Sequence, residues 1–399
     1  MTTYVRDARG LVTQKTDPRG VVSNYQYDTQ GRLTGKTFPA SSNYWQGFDW
    51  DVRNNGNNVG LGNLVGVYNE SGLNWRVFDT KGRIVVDWRT NNPAPALAVA
   101  YGYDLAGNVT SMTYPSGRIV TFTRDQLGRI AAVATQQNSA AAIQYVLGNA
   151  TYLPFGPLSG FTHGNGLATA LTYDTDYRLT RVQVGPGNPS ATLDRSLSWT
   201  GDDVINAIID NQNPGVGQPG VYGAQTQTFA YTPARRLASA NGYYGALSWT
   251  YDANGNRRSE TSNGAVSTYA YPSTANALSS ITLGGATRAF TYDAAGNVLA
   301  DSRTGALGMT FQYDPEGRLA SAVQPATGNG GTYAYDAFGL LASRTVNQSG
   351  SPSTTTLYVY DLKGHVIAET DTSGVTRREY IWMDDLPANS EASRTQFPI

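Results

Sequence analysis

Catalysis in this chain would have to rest on His163, His365 or carboxylates, because those are its two histidines and it has no cysteine. Without cysteine there are no disulfides and no thiolate metal ligands. His163 lies in FTHGNG, and a triad or metal site would need partners brought close to it in space. His365 occupies a slot in YVYDLKGHV that holds Arg or Asn in similar stretches, so it reads as a strand residue. The acidic pairs Asp202-Asp203 and Asp384-Asp385 are sequence neighbours, and neighbours in a strand face opposite ways. A glycosidase needs two carboxylates converging across a cleft, and nothing in the sequence places them so. Gly31 to Thr37 reads GRLTGKT, with three residues between the glycines where a P-loop has four. Gly215 to Gly220 reads GVGQPG, but it holds a proline and sits in the Asn/Gly/Pro-rich stretch 211–223, without a strand-to-helix setting. The expectation is no catalytic residue, no cofactor and no metal.

What does recur is aromatic–x–Tyr–Asp–x–x–Gly–(Arg/Asn)–aliphatic. Copies place their turn residues at Asp7 and Gly10, Asp28 and Gly31, Asp79 and Gly82, Asp104 and Gly107, and Asp125 and Gly128. They continue at Asp252 and Gly255, Asp293 and Gly296, Asp314 and Gly317, Asp336 and Gly339, and Asp361 and Gly364. LTYDTDYRL (Asp174) lacks the glycine, FAYTPARRL puts Thr232 in the aspartate slot, and LSWTGDDVI near Asp202 is a further degenerate copy. In FTYDAAGNVLA, Phe290 and Tyr292 share one strand face. Asp293 can bond the amides ahead of it, Ala294 and Ala295 fit a type I turn, and Gly296 supplies the left-handed residue of a hairpin with a bulge. Asp17-Pro18-Arg19-Gly20 reads as another turn, in the second half of the first copy.

These turns must be held by hairpins, and the hairpins by each other. Neighbouring aspartates stand 21 residues apart at 7–28, 104–125 and 293–314, enough for two short strands and two turns. The wider gaps, 28–79 and 125–174, leave room for a degenerate copy plus an insertion. A lone hairpin is unstable in water, so each must pair with the next into a long curled sheet, with a ladder of cross-strand aromatic pairs on one face. Composition agrees: 26 Tyr and 44 Gly, with only 15% charged residues against roughly 25% in ordinary soluble proteins. The net charge of −1 argues against nucleic acid, and no stretch has the apolar length of a membrane span. The N-terminus, MTTYVRDARG, has no apolar signal-peptide core.

The signature Tyr-Asp-x-x-Gly-(Arg/Asn)-Leu resembles the YD repeat of the Rhs family, which is related to the teneurins and to Tc toxin shell components. The resemblance covers roughly residues 4–386 and includes YLPFGPLSGFTHGNGLATALTYDTDYRL (152–179) and REYIWMDDLPA (378–388). It implies an all-β fold of tandem YD hairpins, part of a spiral shell that encloses a toxin. The expected partners are a toxin or cargo polypeptide, or a second shell chain. The resemblance also implies export by bacterial machinery after a cytoplasmic stage. No core-closing Asp-Pro-x-Gly-Leu motif, self-cleavage site or toxin domain follows the repeats up to Ile399, so the expectation is a segment truncated before them. One repeat array is expected over 1–386, with a short disordered tail over 387–399. The alternative is a secreted or cell-surface adhesion module, with Tyr44, Trp45 and Trp50 of NYWQGFDW facing glycans.

Overall fold

The computed structural model describes residues 1–51, 60–91, 94–186, 192–212, 225–303 and 307–392. The GVGQPG stretch and residues 393–399 of the expected tail lie outside them. The fold is all-β: 34 strands in one antiparallel sheet, and no α-helix among the described residues. The described pairings join strands that follow one another in the chain, as Val22–Tyr27 does with Leu33–Thr37, or Gly245–Tyr251 with Arg257–Ser262.

The Asp-x-x-Gly turns set this pattern. In the ten copies with both residues, the glycine amide donates to the aspartate carbonyl at 2.9–3.2 Å. All ten glycines have φ between 75° and 91°, a conformation that costs a side chain dearly. The aspartate Oδ1 accepts from the amide four residues on at 2.8–3.0 Å, for example from Arg32 to Asp28 and from Asn297 to Asp293. The returning strand then carries one extra residue. Gln26 pairs with Gly35 but Tyr27 with Leu33, and the same slip recurs at Tyr173, Tyr251 and Tyr335. Such a bulge strengthens local twist.

Degenerate copies keep the turn with other residues. Thr200 donates to the Val204 carbonyl at 2.9 Å, with Asp203 at φ 61° in the glycine place. Arg235 and Tyr177 fill that place with φ 57° and 60°. The gap between Asp28 and Asp79 holds a copy too: Asp51 donates to the Asn63 carbonyl at 3.2 Å and Trp50 pairs with Leu64. Turns at the opposite strand ends reuse the chemistry, since Gly20 bonds Asp17 and Gly374 bonds Asp371, each at 3.0 Å.

The chain divides into two compact units. The first comprises Met1–Phe122, Thr135–Ile143 and Thr291–Ile399. It has a true core, with Val65, Val67, Val99, Val359, Ile367 and Ile381 essentially inaccessible. The second comprises Thr123–Ala134 and Gln144–Phe290. Ile130, Val133 and Leu147 are buried there, but beyond residue 150 Ala240 is its only buried apolar side chain among the described residues. Gly245–Tyr251 alternates half-buried and exposed along its length, the pattern of a sheet with one wet face.

Strand β34 (Leu386–Ala392) pairs with β33 (Thr376–Met383), the chain returning through the turn at Asp384. One expectation is corrected. Several motif tyrosines lie under arginines rather than in a continuous aromatic ladder, as described below.

Gly296→Val places a β-branched residue at φ 89° and should cost on the order of 1–3 kcal/mol. Gly148→Ala, with ordinary φ and open space around the added carbon, should melt like wild type. Thermal unfolding of both variants checks the turn; equal melting temperatures would refute it.

Candidate functional site

The aspartate, the Arg/Asn slot and the tyrosine of the repeated motif recur with the same partners. The carboxylate Oδ2 of the turn aspartate accepts from the side chain four residues later. Arg32, Arg83, Arg129 and Arg318 donate through Nε at 2.6–2.8 Å. Asn108, Asn256 and Asn297 donate through Nδ2 at 2.8–3.0 Å. Arg and Asn alternate in that slot because both can donate there. These bonds act on the aspartates against the penalty of burial. At Asp28 burial pushes upward, yet the Arg32 amide and guanidinium hold the carboxyl below its usual value. At Asp104 the Asn108 amide group does the same.

The arginine also reaches the next copy. Arg83 lies 4.6 Å over the Tyr103 ring, Arg129 4.4 Å over Tyr152 and Arg318 4.5 Å over Tyr335. Each tyrosine then donates its hydroxyl to the carbonyl just after that arginine: Tyr103 to Ile84 at 2.6 Å, Tyr152 to Ile130 at 2.8 Å and Tyr335 to Leu319 at 3.0 Å. Tryptophan substitutes through Nε1, from Trp50 to Leu33 and from Trp199 to Leu179, both at 2.8 Å. At the last copy His365 replaces arginine. Its Nδ1 meets Asp361 at 2.9 Å, its ring stacks 4.6 Å from Trp382, and Trp382 donates to the Val366 carbonyl at 2.9 Å. The motif therefore binds each hairpin to the one before it.

Two copies hold leucine in the slot, Leu11 after Asp7 and Leu340 after Asp336, and at the second the break has a use. Asp336 is followed by Leu340, which cannot donate from its side chain. Its carboxylate instead accepts from Arg89, 247 residues away, at 2.8 Å, with both side chains buried. Arg89 also stands 3.6 Å from buried Asp87, and Arg76 lies 3.8 Å from Asp87 and 4.3 Å over Phe338. Burial pushes the carboxyls of Asp87 and Asp336 up, lowers Arg76, and lifts the Tyr360 hydroxyl to about 12. Further bonds tie the N- and C-terminal stretches of this first unit. Arg19 donates to the Asp314 and Pro315 carbonyls at 3.0 and 2.8 Å, Asn69 to Tyr335 at 2.8 Å, and Arg118 to Glu379 at 2.6 Å. Sequence reading overlooked these contacts; the leucine at 340 did not single them out, since Leu11 fills the same slot after Asp7, which pairs with Arg9 nearby.

The other candidates fall as follows. His163 is the first residue of a turn, bonded through Nε2 to Thr169 at 2.8 Å. Asp385 meets His365 Nε2 at 3.1 Å and Asp384 meets Lys363 at 3.0 Å, so that acidic pair does split between two partners. Asp203 pairs with Arg178 at 2.5 Å. The GRLTGKT stretch is strand β4 (Leu33–Thr37), where buried Lys36 pairs with Glu316 and lies 5.1 Å over Phe38. Among the described residues no cluster of three His, Asp or Glu side chains is placed to hold a metal. Tyr44 is half-buried, and Trp50 is committed to Leu33 and to Arg32, 5.1 Å over its ring. Trp45 is 38% exposed and stands edge-on to Tyr68 at 5.5 Å. Beside these, a cleft of about 650 Å³ is lined by Trp50, Tyr68 and Trp75 together with Asp28, Asp49 and Asp51.

Comparison with known proteins agrees with this geometry. The RHS repeat family model matches residues 6–42 and 103–139, and the teneurin YD-shell model matches 261–383. No curated protein matches the chain. Its fold is similar to that in the Photorhabdus luminescens Tc holotoxin pore, at 14% identity and a TM-score of 0.64, covering 98% of this chain and 24% of that one. TcdB2-TccC3 matches at 14% identity and a TM-score of 0.65, covering 98% and 25%. TcdB2-TccC3-Cdc42 matches at 15% and 0.66, covering 98% and 24%. The chain thus spans about a quarter of the length of these solved chains.

Arg89→Met leaves buried Asp336 unpaired and should destabilise the protein by about 3–5 kcal/mol. Lys363→Met, from a pair more than half exposed on both sides, should cost less than about 1 kcal/mol. Urea denaturation compares the two; similar losses would contradict the assignment of Arg89.

Proposed function

We propose that this chain, a YD-repeat protein of the RHS type, is a wall segment of a toxin shell whose role is structural. Its hairpins would screen or present a cargo polypeptide and need no catalytic group to do so. The observation that carries the reading is the inter-copy network: the recurrent polar and aromatic groups of the motif are spent on binding one hairpin to the next. The fold shared with Tc toxin components over nearly the whole chain supports it. Export follows as part of the same reading, and no helix among the described residues is long and apolar enough to cross a membrane.

A wall segment of this length would enclose cargo by joining further shell, from the same polypeptide, another chain or another copy. Sedimentation velocity from micromolar concentration upward should reveal association with itself or with a second shell chain. A strict monomer at every concentration, with no shell chain binding it, would contradict the proposal.

The adhesion reading survives on one feature, the exposed Trp45 ring beside Tyr68. It expects affinity for a cell-surface glycan that falls at least severalfold in Trp45→Ala while the melting temperature holds. A broad glycan panel without binding would remove it. Trp50→Ala is the poorer probe, because it also breaks the bond to Leu33.

A further inference from the structure

We propose that the cleft bounded by Trp50, Tyr68 and Trp75 binds a basic side chain, a guanidinium or ammonium group carried on a polypeptide. The inference stands on the cleft alone and does not require the shell reading.

The cleft is built by paired glycines. On strand β5 (Trp45–Trp50), Gly47 faces Tyr68 of β6 (Leu64–Asn69), and Gly66 of β6 faces Trp75 of β7 (Gly72–Phe78). A side chain at Gly47 would collide with the Tyr68 ring, and a carbon added at Gly66 would stand 2.9 Å from the Trp75 ring. The two rings therefore lie down across bare backbone rather than standing off the sheet. That leaves aromatic surface lining a cavity of about 650 Å³, room for a long side chain.

The charge of the lining selects the ligand. Among the described residues, Asp28, Asp49 and Asp51 face one cation, Arg32. Arg32 is already committed to Asp28 and Asp51, each at 2.6 Å. Asp49 is exposed and has no ion pair among the described residues; only the Tyr68 hydroxyl approaches it, at 3.4 Å. Among the described lining residues two negative charges remain in excess beside aromatic faces, which is unfavourable for a carboxylate or phosphate ligand. A cation gains from both components, through cation–π attraction and a charge-assisted hydrogen bond to Asp49.

The test is titration of the folded chain with the peptide acetyl-Gly-Arg-Gly-amide and with its neutral citrulline counterpart, following the indole resonances of Trp50 and Trp75. The arginine peptide should bind at low salt, shift both indoles and bind about tenfold more weakly to Asp49→Asn. If that variant lowers the melting temperature, ionic strength supplies the same readout, since salt must weaken the wild-type complex. Equal binding of the two peptides, no indole shift with arginine, or binding of methyl glycosides in place of the peptide would each overturn the proposal.

Discussion

A β-hairpin on its own does not persist in water. In this chain the interaction that makes one hairpin depend on the next is the donor of the motif aromatic. Tyr152 reaches back to the Ile130 carbonyl, and Trp199 does the same to Leu179. The arginine preceding the acceptor lies over the same ring, so a hydrogen bond and a cation–π contact close on one side chain. Each contributes on the order of 1 kcal/mol in isolation. Their effect comes from repetition, with nearest-neighbour terms accumulating along the array as in other repeat proteins.

The two units rely on that network to different degrees. The first adds a dry interior of valine and isoleucine, and within it the buried group of Asp87, Arg89 and Asp336. Burying charge is expensive, so these residues make poor fillers but demanding registers: the local amides serve one oxygen of Asp336, and Arg89 must arrive beside the other. Beyond residue 150 the second unit has almost no buried apolar side chains among the described residues. There the alternation of half-buried and exposed residues, the turns and the inter-copy bonds must hold the sheet. The same economy limits function. Groups already engaged with a neighbouring hairpin are not free for substrate, whereas the Asp49 carboxylate has no ion pair among the described residues and the Trp45 ring is partly exposed.

Much of this was legible in order of range. The turns could be read because their causes lie within five residues: a carboxylate that bonds the amides ahead of it and a glycine at positive φ. The copy at Trp50-Asp51 was hidden, since eleven positions separate Asp51 from the glycine it bonds, Gly62. The Arg/Asn slot was visible as a pattern but not as a reason; that both residues serve the same aspartate oxygen needed coordinates. The aromatic ladder was the wrong inference from a right period, because spacing shows which face a ring shares and not what lies over it. Contacts such as Arg89 with Asp336 had no sequence period to reveal them. Trp50 looked like a surface platform in NYWQGFDW, yet it is a motif aromatic tied to the hairpin before it.

The central claim is that the motif arginine and the next copy's aromatic act as one coupled unit. A double-mutant cycle on Arg129→Met and Tyr152→Leu, measured by urea denaturation, tests it most directly. Their contact at 4.4 Å should give a coupling energy of about 0.5–1 kcal/mol. Strictly additive losses would mean that the hairpins are joined by backbone pairing alone, and that the recurrence of the motif has another cause.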